Sequence, residues 1–150
     1  MPPTNAETLS GKKITLPETV RGHLSILIVG FSRKGGERTG DWNRRLRQEL
    51  ASDHGIEIHQ VAELQGAPRL LRGMIVSGMK KGTPADQHDS FFVLFEGEGA
   101  WKQWVGLTSS DDPYVVLTDK SGQAVWKTHG LVNDAAIGEL KRQVQSAESH

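Results

Sequence analysis

The apolar run Ser25-Ile26-Leu27-Ile28-Val29-Gly30-Phe31 is the strongest pattern in the chain. Near-continuous apolar character over the length of one strand predicts a central strand buried on both faces. Upstream, Lys12 to Leu16 alternates and stops at Pro17, which predicts a short edge strand. Met1 to Leu9 is polar and reads as a loose terminus. Downstream comes a Gly- and Arg-rich stretch, Ser32 to Gly40, expected to be a loop. In Asp41 to Ser52 the period changes. Trp42, Leu46 and Leu50 line one helical face, with Thr39 or Asp41 placed to cap it and Gly55 placed at its exit. Ile56 to Val61 alternates again, so strand, helix and strand form a βαβ unit with a right-handed crossover.

The second half continues in the same style. Ala67 to Lys81 predicts a helix with Pro68 in its first turn and an apolar stripe of Leu71, Met74, Ile75 and Met79. Gly82-Thr83-Pro84 ends it, and Ser90 to Phe95 is another apolar strand. Gly99 to Gly106 is a short helix or turn holding Trp101 and Trp104, one expected to pack and the other to be exposed. Tyr114 to Thr118 and Ala124 to Thr128 form an antiparallel hairpin through Asp119-Lys120-Ser121-Gly122. Asn133 caps a last helix to about Ser146, with Val132 and Ile137 spaced as a hydrophobic staple. Parallel strands followed by an antiparallel hairpin, with helices between, predict an α/β fold. Its architecture is a three-layer α/β/α sandwich around a mixed central sheet. The predicted organisation is a loose segment over residues 1–10 and one domain over 11–147.

Charge alters this picture locally. The chain carries 18 basic and 18 acidic residues, so as a whole it has no strong attraction for nucleic acid or membrane. No stretch approaches the roughly 20 apolar residues of a membrane helix, and the first residues lack the pattern of a signal peptide. Two segments are nonetheless basic: Arg33 to Arg47, and the helix bearing Arg69, Arg72, Lys80 and Lys81 with no acid among them. The second is a candidate face for a partner or an anionic surface. With a neutral chain and no aromatic stacking motif, nucleic acid is not an expected partner.

Cysteine is absent altogether. That removes disulfides, thiolate nucleophiles and thiol–disulfide exchange, which proceeds through sulfur.

Gly11-Lys12-Lys13-Ile14-Thr15-Leu16 through Arg21-Gly22-His23, running into the strand that ends at Phe31, resembles the opening hairpin and first core strand of the thioredoxin-like superfamily, on its peroxiredoxin side. Pro113 through Thr118, with Asp119 and Gly122, resembles the segment that carries that family's cis-proline. The resemblance implies a thioredoxin-like fold and a cis Asp112–Pro113 bond. It also implies a vestigial active-site surface made of Ser32, Arg33, Lys34, Gly35, Gly36, Arg38, Thr39, Asp112 and Pro113. The family keeps its reactive cysteine in this loop, and no thiol stands there, so the activity is not carried over. Pro68-Arg69-Leu70-Leu71-Arg72-Gly73-Met74 with Lys80 to Pro84, and Asp119, Gly122, Trp126 and Gly130, also resemble the mitochondrial ATP-synthase assembly factors and their bacterial relatives. That likeness implies an assembly chaperone for a membrane complex.

Other chemistry finds little footing. Ser32 and Thr39 have no histidine placed to activate them, and strand-end and cap roles account for both. Gly30 and Gly35 have the outline of a phosphate loop, but Gly36 is followed by Glu37 and Arg38 in place of lysine and a hydroxyl. An anion at the backbone N–H groups, helped by Arg33, Lys34 and Arg38, remains as an alternative function. His54, Glu57 and His59 match no recognised metal pattern. The expectation is therefore a non-redox binding or assembly module with a protein partner, without a catalytic residue, metal or cofactor.

Overall fold

Leu24–Gly30 forms a strand, β3, whose seven residues are all buried, as its unbroken apolar run requires. The computed structural model describes residues 1–149. β3 is followed by α1 (Arg33–Glu49), β4 (Ile56–Glu63), α2 (Arg69–Gly82) and β5 (Phe91–Leu94). Before it lie β1 (Thr4–Thr8) and β2 (Lys13–Leu16); after it come α3 (Glu98–Val105), β6 (Tyr114–Thr118), β7 (Ala124–His129) and α4 (Asp134–Glu148).

The strands make one sheet in the order β2-β1-β5-β4-β3-β6-β7. β3–β4 and β4–β5 are parallel and the remaining pairs antiparallel. The chain steps from β3 to β4 to β5 in one direction across the sheet. Two right-handed crossovers in one direction put α1 and α2 on the same face. α1 and α4 cover Ile26, Ile28, Val115 and Leu117 with Trp42, Leu46, Ile137 and Leu140. α2 lies further along, over Ala62, Phe91 and Val93. The opposite face packs Leu27, Val29, Val61 and Leu94 against Trp101 and Val105 of α3. This is the mixed-sheet α/β/α sandwich that the pattern predicts.

Two buried indoles fasten the layers, each with its N–H satisfied as burial demands. Trp42 Nε1 donates to Gly130 O (2.8 Å) and Trp101 Nε1 to Thr4 Oγ1 (2.7 Å). Trp104 stands edge-on to Trp101, 5.2 Å between centroids, and is only partly buried.

Several expectations need correction. The loose terminus is a strand: Thr4, Ala6 and Thr8 of β1 alternate inward and Leu9 is buried. Polar composition concealed it, because two of the inward residues are threonines that bury a methyl and bond the hydroxyl. The Ser32–Gly40 loop is the first two turns of α1. Ser32 is the cap, in place of Thr39 or Asp41, and its Oγ accepts from Gly35 N (3.0 Å). Glycines argue for a loop by propensity, and tertiary contact overrides them here. Pro68 sits at the N-cap of α2, one step before the first turn. The apolar stripe of α2 is also rotated. Val76 and Met79 pack inward, whereas Leu71 and Met74 are exposed.

Candidate functional site

The first turn of α1 meets the segment before β6, so the stretches 32–39 and 112–113 lie side by side. Ser32 Oγ donates to Asp111 Oδ1 (2.8 Å) while it caps Gly35. Arg38 Nη1 donates to Asp111 O (3.0 Å) and lies 4.0 Å from Asp112 Oδ1. Gly35 is buried, and a Cβ placed on it would stand 3.2 Å from Ser110 O and 3.5 Å from Asp112 O. The glycine thus lets the helix seat directly on the 110–112 backbone. Thr39 is buried and its Oγ1 donates back to Gly36 O (2.8 Å), which accounts for it as structure. Arg33, Lys34 and Gly36 are exposed.

Three further residues build this surface and were not anticipated. Tyr114 is the single tyrosine of the chain and is buried. Its hydroxyl accepts from Thr108 N (2.8 Å) and Ser109 N (2.9 Å) and donates to Ser109 O (2.9 Å), pinning the loop that carries Asp111 and Asp112. His129, at the end of β7, stacks on the Tyr114 ring at 5.4 Å and holds Asp112 Oδ2 through Nδ1 (3.0 Å). Asp111 itself holds the cap residue. A lone tyrosine beside a proline was the one signal in the sequence; the partners lie on separate elements and left none.

The Asp112–Pro113 bond is trans, and the cis bond among the described residues is Leu16–Pro17. Asp112 N donates to Ser109 O (3.2 Å) and Pro113 O accepts from Gly130 N (3.1 Å), so the turn at 109–112 delivers the chain into β6 in extended form.

The charge at this surface is not what the basic sequence implies. At the α1 N-terminus the Asp111 carboxylate takes the cap hydroxyl of Ser32, the carbonyls of Ser110 and Asp112 approach Gly35, and the Asp112 carboxylate lies by Arg38. These are the anionic partners that a helix N-terminus favours, so the place an external anion would take is already electronegative. Much of the other basic cluster is spent internally. Arg44 pairs with Asp41, Arg45 with Glu49 and Asp134, and Arg47 donates to Ile58 O (3.0 Å) and Ser90 Oγ (3.1 Å). Arg72 is likewise structural: it donates to Ala67 O (3.2 Å) and Gln65 O (2.9 Å) and lies 5.2 Å over the Phe95 ring. Arg69, Lys80 and Lys81 remain exposed.

Ser32→Ala is expected to lower stability by about 1–2 kcal/mol, because it removes a helix cap and frees the Asp111 carboxylate. Urea denaturation measures it, and an unchanged midpoint would show that the α1–loop junction does not depend on that hydroxyl.

Elsewhere, Glu57 bridges two histidines, taking His59 Nε2 (3.0 Å) and His23 Nδ1 (3.2 Å). Its carboxyl is held below the usual range, first by the His59 hydrogen bond. His54, close to Glu57 and His59 in sequence, is not part of this cluster, and no group able to hold a metal ion is formed among the described residues. A hollow of about 810 Å³ lies between the β1–β2 hairpin and the start of α2. Its lining mixes Glu7 and Glu96 with Lys13, Arg69 and Arg72, so no one ligand charge is selected. No helix among the described residues is long and apolar enough to cross a membrane.

No family model and no curated protein matches the chain, so the assembly-factor resemblance rests on its own residues. Solved structures do match across nearly the full length. The exposed lipoprotein thioredoxin of Streptococcus pneumoniae is 17% identical with a TM-score of 0.64, over 95% of this chain and 99% of that one. A thioredoxin-family thiol:disulfide interchange protein of Chlorobium tepidum is 17% identical at TM-score 0.58, covering 97% and 93%. A member of the Sco family of cytochrome c oxidase assembly proteins is 13% identical at TM-score 0.65, covering 99% and 92%. At these identities the likeness concerns backbone arrangement. The chain has the thioredoxin-like fold, and it has that fold without a single cysteine.

Proposed function

We propose that this chain is a non-redox binding module whose recognition surface is the junction of the α1 N-terminus, residues 110–113 and the end of β7. The observation that carries the reading is the state of Ser32. The hydroxyl at the start of α1 is committed to Gly35 N and Asp111, and the chain has no thiol. The surface therefore has no thiol and no free Ser32 hydroxyl, yet it presents exposed polar groups at Arg33, Lys34, Asp111 and His129, the last two held by hydrogen bonds. Ordered polar groups on a rigid frame supply specificity in protein recognition. Neighbours of this fold include a thioredoxin and a member of an oxidase-assembly family. Without a thiol, the reading we favour of the two is assembly or chaperone-like work on a protein partner, for instance within a membrane complex.

A photo-crosslinking residue at Lys34, in extracts from soluble and membrane fractions, tests this. One discrete protein adduct is expected, weakened when Asp112 is changed to Ala and absent from the same probe at Lys120, on the β6–β7 turn. No adduct, or equal adducts from both positions, would reject the reading. The alternative, an anionic ligand at Arg33, Lys34 and Arg38, predicts a rise in thermal midpoint with inorganic phosphate. The carboxylates beside the helix start lead us to expect none.

A further inference from the structure

We infer that the outer face of α2 docks reversibly on an anionic lipid surface, independently of the recognition surface at α1. Leu70, Met74, Ser77 and Lys81 fall at i, i+4, i+7 and i+11 and form the outward line of the helix. Leu70 is 98% exposed, Met74 68% and Leu71 43%, so three large apolar side chains stand in solvent over one turn. Scattered exposed leucines are ordinary on a protein surface, whereas a contiguous group on one element marks an interaction site. Arg69 adjoins it, Lys80 and Lys81 follow in the last turn, and α2 contains no acid. Of the acids nearby, Asp89 is bound to Lys12, and Glu7 and Glu96 line the hollow beside Arg69, away from Lys80 and Lys81.

The charge selects the occupant. A second copy of the chain would bring two cationic helices face to face, which like-charge repulsion opposes. A groove that accepts a helix needs apolar anchors continuing at i+7. Here those positions are Ser77 and Lys81, so the anchors end after one turn. A bilayer interface makes the opposite demand: a few apolar side chains at shallow depth, with long cationic side chains reaching the headgroups. α2 is held to the domain by Val76 and Met79 on its inner side, so it can lie on such a surface without leaving the fold.

Flotation of the full chain with phosphatidylcholine vesicles, and with equimolar phosphatidylcholine and phosphatidylserine, tests the inference. Binding is expected only to the anionic vesicles and is expected to fall as salt rises. Leu70→Ser with Met74→Ser, and separately Lys80→Glu with Lys81→Glu, should each weaken it by roughly tenfold or more. Leu131→Ser, at an exposed leucine outside α2, should leave binding unchanged. All replaced side chains are exposed, and equal thermal midpoints confirm folded variants. Failure to float with anionic vesicles, equal flotation with neutral ones, or indifference to both α2 variants would overturn it. Loss of the Lys34 adduct leaves this result untouched, so the two proposals fail separately.

Discussion

Deleting residues 1–10 is expected to leave a chain that no longer folds cooperatively at room temperature. β1 lies inside the sheet, between β2 and β5. Its loss orphans β2 and removes the backbone partners of Phe92 and Val93. It also strips Thr4 from the indole of Trp101, a fully buried side chain that then keeps an unsatisfied N–H. Leu9 is 1% exposed, and emptying one such site alone costs about 2–5 kcal/mol. Adding the lost strand pairing exceeds about 5 kcal/mol, the lower end of the stability of an ordinary domain. Circular dichroism and urea denaturation read this directly. A truncated chain with an unchanged unfolding midpoint would return the segment to the status of a dispensable tail.

Glu63→Gln is expected to stabilise the protein by about 2–3 kcal/mol at pH 8 and by almost nothing near pH 4. Glu63 closes β4 at 4% exposure, on the face covered by α3. One carboxyl oxygen accepts from Gln65 N (3.0 Å); the other, Oε2, finds no hydrogen-bond partner among the described residues. Burial therefore pushes the carboxyl up from 4.5 to about 7, helped by the charges of Glu98 and Glu96 against the opposing pull of Gln65 N–H and Lys102. With the folded value above the unfolded one, the folded chain holds a proton that the unfolded chain has released. Stability is thus full below about pH 4.5 and falls as pH rises to about 7, then levels off. Glutamine is always neutral and keeps the acceptor for Gln65, so its advantage grows over that same interval. Denaturation of both proteins from pH 4 to 8 measures it. A constant difference across that range would mean Glu63 remains ionised within the fold.

The legible parts of this fold are those where one residue type dominates one face. The β3 run, the β6–β7 hairpin and the Asn133 cap with α4 are local statements, and each stands where its residues place it. β1 was hidden because threonine counts as polar in a pattern yet packs well in a sheet. The start of α1 was hidden because Gly35 and Gly36 oppose a helix by propensity, and only the backbone at 110–112 gives Gly35 a reason to be there. At the candidate surface, the grouping of Ser32 and Arg38 with Asp112 followed from a family likeness. Asp111, Tyr114 and His129 needed coordinates, since they meet from three separate segments, the turn before β6, β6 and β7.

Thiol chemistry was ruled out by the sequence alone, because no folding can supply a cysteine the chain does not contain. Strand types, helix order and the mixed sheet were likewise written in hydrophobic period, a property of neighbouring residues. Which charges remain free was decided only in three dimensions. Arg38, Arg47 and Arg72 look identical to Arg69 in a sequence, yet the first three are folded onto backbone carbonyls and Arg69 stays in solvent. Composition counts charges, and electrostatic function depends on what each charge faces.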